Sequence, residues 1–130
     1  MNHRIERMRH ISRAYVRANR DKLFLFGDNL ERRGFGGQAA AMRGEPNAVG
    51  IPTKKKPSYA GDAFFSDEEF ELNAVAIDEA FAEVTSALTE TTRAIVMPEA
   101  GLGTGRAELA KRAPRTFAHL EARLKLLERL

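Results

Sequence analysis

Apolar residues along this chain fall into two kinds of run. Leu23-Phe24-Leu25-Phe26 and Ala94-Ile95-Val96-Met97 are short and continuous. Each predicts a strand buried on both faces, over residues 22–26 and 93–97. Phe70, Ala74, Ile77, Phe81, Val84 and Leu88 instead recur at steps of four and three, as do Phe117, Leu120, Leu124 and Leu127. That spacing predicts two helices, each with a single apolar face. Ser66 with Glu69 three residues later predicts a capping box opening the first helix. Pro114 is tolerable only in the first turn of the second. Weaker signals place a strand near residues 7–11, a helix over 12–19 and a strand over 48–51. A short helix over 38–43 is ended by Gly44, with Pro46 beyond it, and a long basic loop covers 52–62. Strands alternating with helices, without repeats or a break in composition, predict one α/β sandwich domain over residues 1–130.

Seven of the ten glycines interrupt this pattern at two places, each directly after a buried run. The first loop is Gly27-Asp28-Asn29-Leu30-Glu31-Arg32-Arg33-Gly34-Phe35-Gly36-Gly37-Gln38. The second is Pro98-Glu99-Ala100-Gly101-Leu102-Gly103-Thr104-Gly105-Arg106. Glycine brings backbone N–H groups within reach of phosphate oxygens. Two such loops at strand ends predict a shared pyrophosphate clamp on one rim of the sheet, with the dipole of a helix starting at Gln38 contributing. On that reading Val at Gly36 or Gly103 abolishes binding and leaves the fold intact. The alternative is a pair of turns needed only for strand–helix packing. Neither loop ends in the GK[ST] of a phosphate-binding P-loop, and no acidic-ended second strand completes a dinucleotide fingerprint. Asp28 and Asn29, at a strand's carboxyl end, are candidates for contacts to ribose or adenine. Glu99 is a candidate general base or ribose contact, against a plain solvated loop carboxylate.

The formal net charge of +3 permits an anionic ligand. Residues 1–20 hold six arginines against Glu6 alone, and Lys54-Lys55-Lys56 forms a second basic cluster. Without interleaved aromatics, a solvated arginine face is the simpler reading of residues 1–20, nucleic-acid binding the alternative. The absence of cysteine excludes disulfides and thiolate metal sites and fits a reducing cytoplasm. His3, His10 and His119 show no ligand spacing, so no metal is expected. No apolar stretch reaches membrane-span length, and Met1-Asn2-His3-Arg4 leads into a charged segment unlike a signal peptide.

The order of these motifs resembles the macro domain, an ADP-ribose-binding α/β/α module. The likeness is greatest to the branch of terminal ADP-ribose glycohydrolase and the antitoxin enzymes that remove ADP-ribose from DNA. It rests on Asn29 with Gly34-Phe35-Gly36, then Ile51-Pro52-Thr53-Lys54, then Met97-Pro98-Glu99-Ala100-Gly101-Leu102-Gly103, in that order over residues 22–127. The chain also resembles bacterial and phage proteins with an F-G-D-N-L loop. The macro resemblance implies a three-layer domain with a central mixed sheet, and ADP-ribose or an ADP-ribosylated macromolecule, a nucleic acid among the candidates, as partner. No cofactor and no membrane are expected. The ligand set it implies comprises Gly27, Asp28, Asn29, Leu30, Gly34, Phe35, Gly36, Gly37 and Gln38 of the first loop. Thr53 and Lys54 follow, then Gly101, Leu102, Gly103, Thr104, Gly105 and Arg106 of the second loop.

Lys54 aligns with the lysine on which that branch's hydrolase chemistry depends. As a neutral amine it attacks C1″ of ring-opened ADP-ribose; as a cation it stabilises the substrate. Lys55 and Lys56 are expected to depress its pKa by repulsion. Asp28 and Glu99 complete the candidate catalytic set. Two departures stand out: Gly105 occupies the position of the glycohydrolase's aspartate, and Gln38 or Ala39 that of an aspartate used in another hydrolase branch. Three functions follow as expectations: an ADP-ribosylglycohydrolase, a non-catalytic ADP-ribose or nucleotide-binding module, or a nucleic-acid-binding protein.

Overall fold

The computed structural model describes residues 4–129. Met1, Asn2, His3 and Leu130 lie outside the described residues, and with them the N-terminal leader and His3 readings. The chain runs β1 (Ile5–Met8), α1 (Arg13–Ala18), β2 (Lys22–Asn29), α2 (Ala39–Met42) and β3 (Ala48–Lys54). It continues through α3 (Phe70–Ala87), β4 (Ala94–Pro98), α4 (Leu109–Arg112) and α5 (Pro114–Glu128).

The strands form one sheet in the order β1-β4-β2-β3, and every pairing is parallel. The mixed sheet that the resemblance implied is therefore not what forms. Each connection between strands carries a helix across a face, and such crossovers return the chain in the same direction. An isolated antiparallel bridge joins Lys54 to Phe64 outside the strands.

Alternation along the buried strands divides two cores. Leu23, Leu25, Ile51, Ile95 and Met97 pack with Ile77, Phe81 and Val84 of α3 and Leu120, Leu124 and Leu127 of α5. Phe24, Phe26 and Val96 face the other way, onto Val16 of α1 and Ala39 and Met42 of α2. The result is the expected α/β domain, with helices on both faces of the sheet.

Element ends differ from expectation where a neighbour carries a strand onward. β2 does not stop at Gly27, because β3 pairs with it through Gly27↔Ile51 and Asp28↔Pro52 and, past an irregularity, Asn29↔Lys54. β3 likewise passes through Pro52, which an edge strand tolerates. The capping box forms by half: Ser66 Oγ accepts from Glu68 N and opens a 3-10 turn at Asp67–Glu69 ahead of α3. Glu69 pairs with Lys55 instead of returning to Ser66. Asp67 caps α5, accepting from Arg115 N at 2.8 Å, Thr116 N at 3.0 Å and Thr116 Oγ1 at 2.9 Å.

The arginine-rich segment is not simply a solvated face. Arg13, Arg17 and Arg20 converge on the buried carboxylate of Glu45 at 2.6, 3.0 and 2.9 Å. Hydrogen bonding from Arg13, against the opposing effect of burial and with help from Arg20 and Arg17, holds Glu45 down at a pKa of about 2.

Candidate functional site

Parallel pairing puts the carboxyl ends of β2, β3 and β4 on one rim, so both glycine loops and Lys54 meet there. Between them lies a cleft of about 360 Å³. The position follows from topology. The chain leaves β2 over the α1–α2 face, whereas it leaves β3 and β4 over the α3–α5 face, and a crevice opens where neighbouring connections diverge.

Gln38 ties the two loops together. Its Oε1 accepts from Gly27 N at 2.6 Å, and its Nε2 donates to Gly101 O at 3.1 Å. Among the described residues, no N–H of residues 34–38 or of 102–107 has a protein acceptor. Gly34, Gly36 and Gly37 of the first loop line the cleft, as do Gly103 and Gly105 of the second. A side chain at Gly36 or Gly105 would meet nothing within 4 Å. Gly103 differs: at φ +74° its Cβ would lie 3.0 Å from both Leu109 Cβ and Thr53 Cγ2. Gly103 is thus required by packing, and the expectation that Val there leaves the fold intact is corrected. The helix-dipole contribution is corrected too. α2 begins at Ala39 and is a single turn, so the loop amides themselves are what face the cleft.

Asp28 and Asn29 both reach the cleft, in different states. Asp28 is buried and committed: its carboxylate pairs with Arg43 and accepts from Asn29 N at 2.8 Å. Gly50 makes room for it, since a Cβ there would stand 2.4 Å from Asp28 Oδ2. Both oxygens of this carboxylate are thus engaged by protein donors at the cleft wall. Asn29 donates from Nδ2 to Arg33 O at 2.9 Å, while its buried Oδ1 has no donor. A buried acceptor without a partner is costly in an empty site and is satisfied by a ligand donor.

Lys54 stands beside Asn29 in register and lines the cleft. Nζ donates to Ser58 O at 2.6 Å. Burial, then repulsion from Arg106 and Arg112, holds its ammonium below the ordinary lysine pKa. The expected cause was wrong: Lys55 pairs with Glu69 and Lys56 with Asp62. Thr53, also in the lining, donates from Oγ1 to Asp28 O. Phe35 and Tyr59 are 65% and 66% exposed at the cleft, and Arg106 there donates to the Tyr59 hydroxyl.

Several expected residues lie elsewhere. Glu99 is not in the cleft; it is exposed, with Arg9 4.0 Å away, because β4 delivers it past the rim. Leu102 is fully buried core beside Leu109. Gly101 lends its carbonyl to Gln38 from behind the lining. Leu30 and Thr104 are exposed off the cleft, Leu30 N bonding Lys54 O. Sequence reasoning missed Tyr59 and Arg43. The aromatic in the basic loop was the available signal for Tyr59. Nothing local marks Arg43, which reaches back to Gly34 O at 2.6 Å and organises the first loop.

A second cavity of about 560 Å³ adjoins the first, sharing Gly37 and Gln38 and otherwise walled by Met8, Ile11, Met42 and Pro98 with Arg9 and His10. Among the described residues no three metal-ligating side chains cluster, and no helix is long and apolar enough to cross a membrane.

Fold and cleft define an α/β protein with a glycine-walled site at the carboxyl edge of a parallel sheet. The chain belongs to a family described as a family of unknown function, DUF7831, whose sequence pattern matches residues 6–123. That description names no ligand or activity. No curated protein and no solved structure matches the chain.

Proposed function

We propose that the chain binds ADP-ribose in the cleft and releases it hydrolytically from a macromolecule, with Lys54 acting at the distal ribose. The observation that carries this reading is the pair at the ends of β2 and β3. Asn29 offers a buried acceptor without a donor, and Lys54, in register with it, is a lysine held below its ordinary pKa. A ribose hydroxyl satisfies Asn29 Oδ1 and sets C1″ near the amine. The pyrophosphate then faces the open amides around Gly36 and Gly37, and the flat base enters the second cavity beyond that shared wall, against Met8, Ile11 and Met42.

Chemistry falls to Lys54 because the cleft's carboxylate, Asp28, is occupied by Arg43. The ribose ring opens as the C1″–O4″ bond breaks and O4″ takes a proton from solvent, leaving C1″ doubly bonded to the nitrogen of the macromolecule. The neutral amine adds to that carbon. The bond to the macromolecule breaks as its departing atom takes the proton that the amine releases. Water then hydrolyses the lysine adduct and returns free amine and ADP-ribose. Isothermal titration with ADP-ribose, followed by turnover on ADP-ribosylated DNA, RNA and protein, tests both halves. Micromolar binding with turnover is expected, and no binding sinks the reading.

A second reading is a binding module without chemistry. It is favoured by the engagement of the Lys54 ammonium with Ser58 O and by the lack of a free carboxylate to activate water. Binding without turnover on any of the three adducts selects it.

A further inference from the structure

Lys54 belongs to a cluster that extends beyond the cleft. Its Nζ lies 4.8 Å from the centroid of the Phe64 ring and 5.1 Å from that of Tyr59. Each ring carries another cation: the Arg112 guanidinium carbon is 3.6 Å from the Phe64 centroid, and that of Arg106 is 5.7 Å from the Tyr59 centroid. Phe64 is buried and bridged to Lys54 through the backbone, so the ring that joins Arg112 to Lys54 is fixed in place. Arg106 lines the cleft, whereas Arg112, on α4, does not.

The other charged and titratable groups around Lys54 are accounted for. From β2 and the first loop come Asp28, held by Arg43, and Arg33, paired with Glu31. In the following loop Lys55 and Lys56 are paired with Glu69 and Asp62, and the Tyr59 phenol accepts from Arg106. From the α4 side, Glu108 approaches Arg112 at 3.4 Å and Lys111 at 3.6 Å. No carboxylate is paired with Lys54 among the described residues.

We infer that Arg112 is a positioning residue for Lys54: stacked outside the cleft on the same Phe64 ring that Lys54 faces, it holds a second like charge, beside that of Arg106, against the amine. A like charge disfavours the ammonium, and cations stacked on aromatic faces are held where that repulsion is felt. Arg106 exerts the same effect only in the empty site, since an anionic ligand there cancels its charge. Arg112 is out of the ligand's reach, so its influence persists in the complex. The inference rests on Lys54 being the reactive group proposed above, but its test needs neither ligand nor turnover.

Competitive labelling of the full chain with acetic anhydride across pH, read lysine by lysine by mass spectrometry, gives the midpoint of each amine. In Arg112→Gln, Lys54 is expected to label about threefold more slowly at pH 8, the effect of one like charge across a partly wet site. Its midpoint moves to higher pH, while Lys125, which pairs with neither Arg112 nor Glu108, serves as the unchanged reference. Arg112→Lys keeps the charge and restores the rate. Arg112→Met keeps an apolar stem on Phe64 without the charge and is expected to move the Lys54 midpoint up, which tests the charge even if Arg112→Gln does not fold. An unmoved midpoint in the folded Arg112→Gln or Arg112→Met protein overturns the inference. So does a failure of Arg112→Lys to restore the rate, which would assign Arg112 to packing alone. Absence of ADP-ribose binding is a separate result, visible in calorimetry and leaving the labelling unaffected.

Discussion

Replacing Gly103 by Ala tests whether the second loop is shaped by its ligand or by the core beneath it. The added Cβ meets Leu109 Cβ and Thr53 Cγ2 at 3.0 Å and Thr53 Cβ at 3.1 Å. These are backbone-proximal carbons that cannot swing aside, because Leu109 and Thr53 are both buried. Overpacking of this kind costs about 1–3 kcal/mol. Holding a non-glycine residue at φ +74° adds about 1 kcal/mol. The sum, roughly 2–4 kcal/mol, lowers the melting temperature by about 10 °C for a chain of this size. Gly36→Val is the matched control, since a Cβ there meets nothing within 4 Å. Its stability is expected to stay within about 0.5 kcal/mol of the parent, the usual range for an open surface position, while ADP-ribose affinity is lost. Thermal denaturation by circular dichroism, with calorimetry on the same preparations, reads both effects. A Gly103→Ala protein that melts within about 2 °C of the parent would refute the packing argument. A Gly36→Val protein as unstable as Gly103→Ala would refute the division between the two glycines.

Four further outcomes follow from single contacts. Asn29→Ala should weaken ADP-ribose binding about tenfold, the value of one buried hydrogen bond; unchanged calorimetric affinity would take Oδ1 out of the site. Lys54→Ala should cut turnover by orders of magnitude while altering ADP-ribose affinity little, and Lys54→Arg should fail equally as a nucleophile; turnover surviving Lys54→Ala removes the residue from the mechanism. Glu45, at a pKa of about 2 against an ordinary 4.5, contributes stability that is complete above about pH 4.5 and lost as pH falls toward 2. Urea midpoints at pH 7, 4 and 3 should therefore fall in the parent and fall less in Glu45→Gln. Asp67→Ala, which uncaps α5, should cost about 1–2 kcal/mol in urea denaturation.

The apolar runs were legible because burial on both faces leaves a strand little choice of residue, and the four-and-three spacing of α3 and α5 is equally direct. What could not be read locally is what depends on a partner. β2 runs on through Asp28 and Asn29 because β3 accompanies it, and no residue of β2 announces that. Gly36 and Gly103 look alike in sequence; only Thr53 and Leu109 beneath one of them make the difference. The lysine run suggested mutual repulsion, yet Lys55 and Lys56 turn to their own acids. The cations that act on Lys54 come from Arg106 and Arg112, far along the chain. The arginines of the N-terminal segment suggested a surface, and Glu45 draws three of them together.

The helices following the first and second loops, α2 and α4, are single turns with little dipole to offer. Arg43 faces the cleft but is neutralised by Asp28. An anion in the cleft would therefore meet loop amides held at a set spacing, with Lys54 and Arg106 as the cations of the lining. The spacing is fixed by Gln38, whose amide joins Gly27 of one loop to Gly101 of the other, and by Gly103 seated on Thr53 and Leu109. Gln38 and Gly103 thus act on a ligand by shaping the frame, whereas Gly36, Asn29 and Lys54 are positioned to act on it by contact. The like charges gathered at the Lys54 end of the cleft are Lys54, Arg106 and Arg112. On the proposed reading the first forms a bond and the second meets an anion, while Arg112, paired with Glu108 outside the cleft, acts on them through its charge.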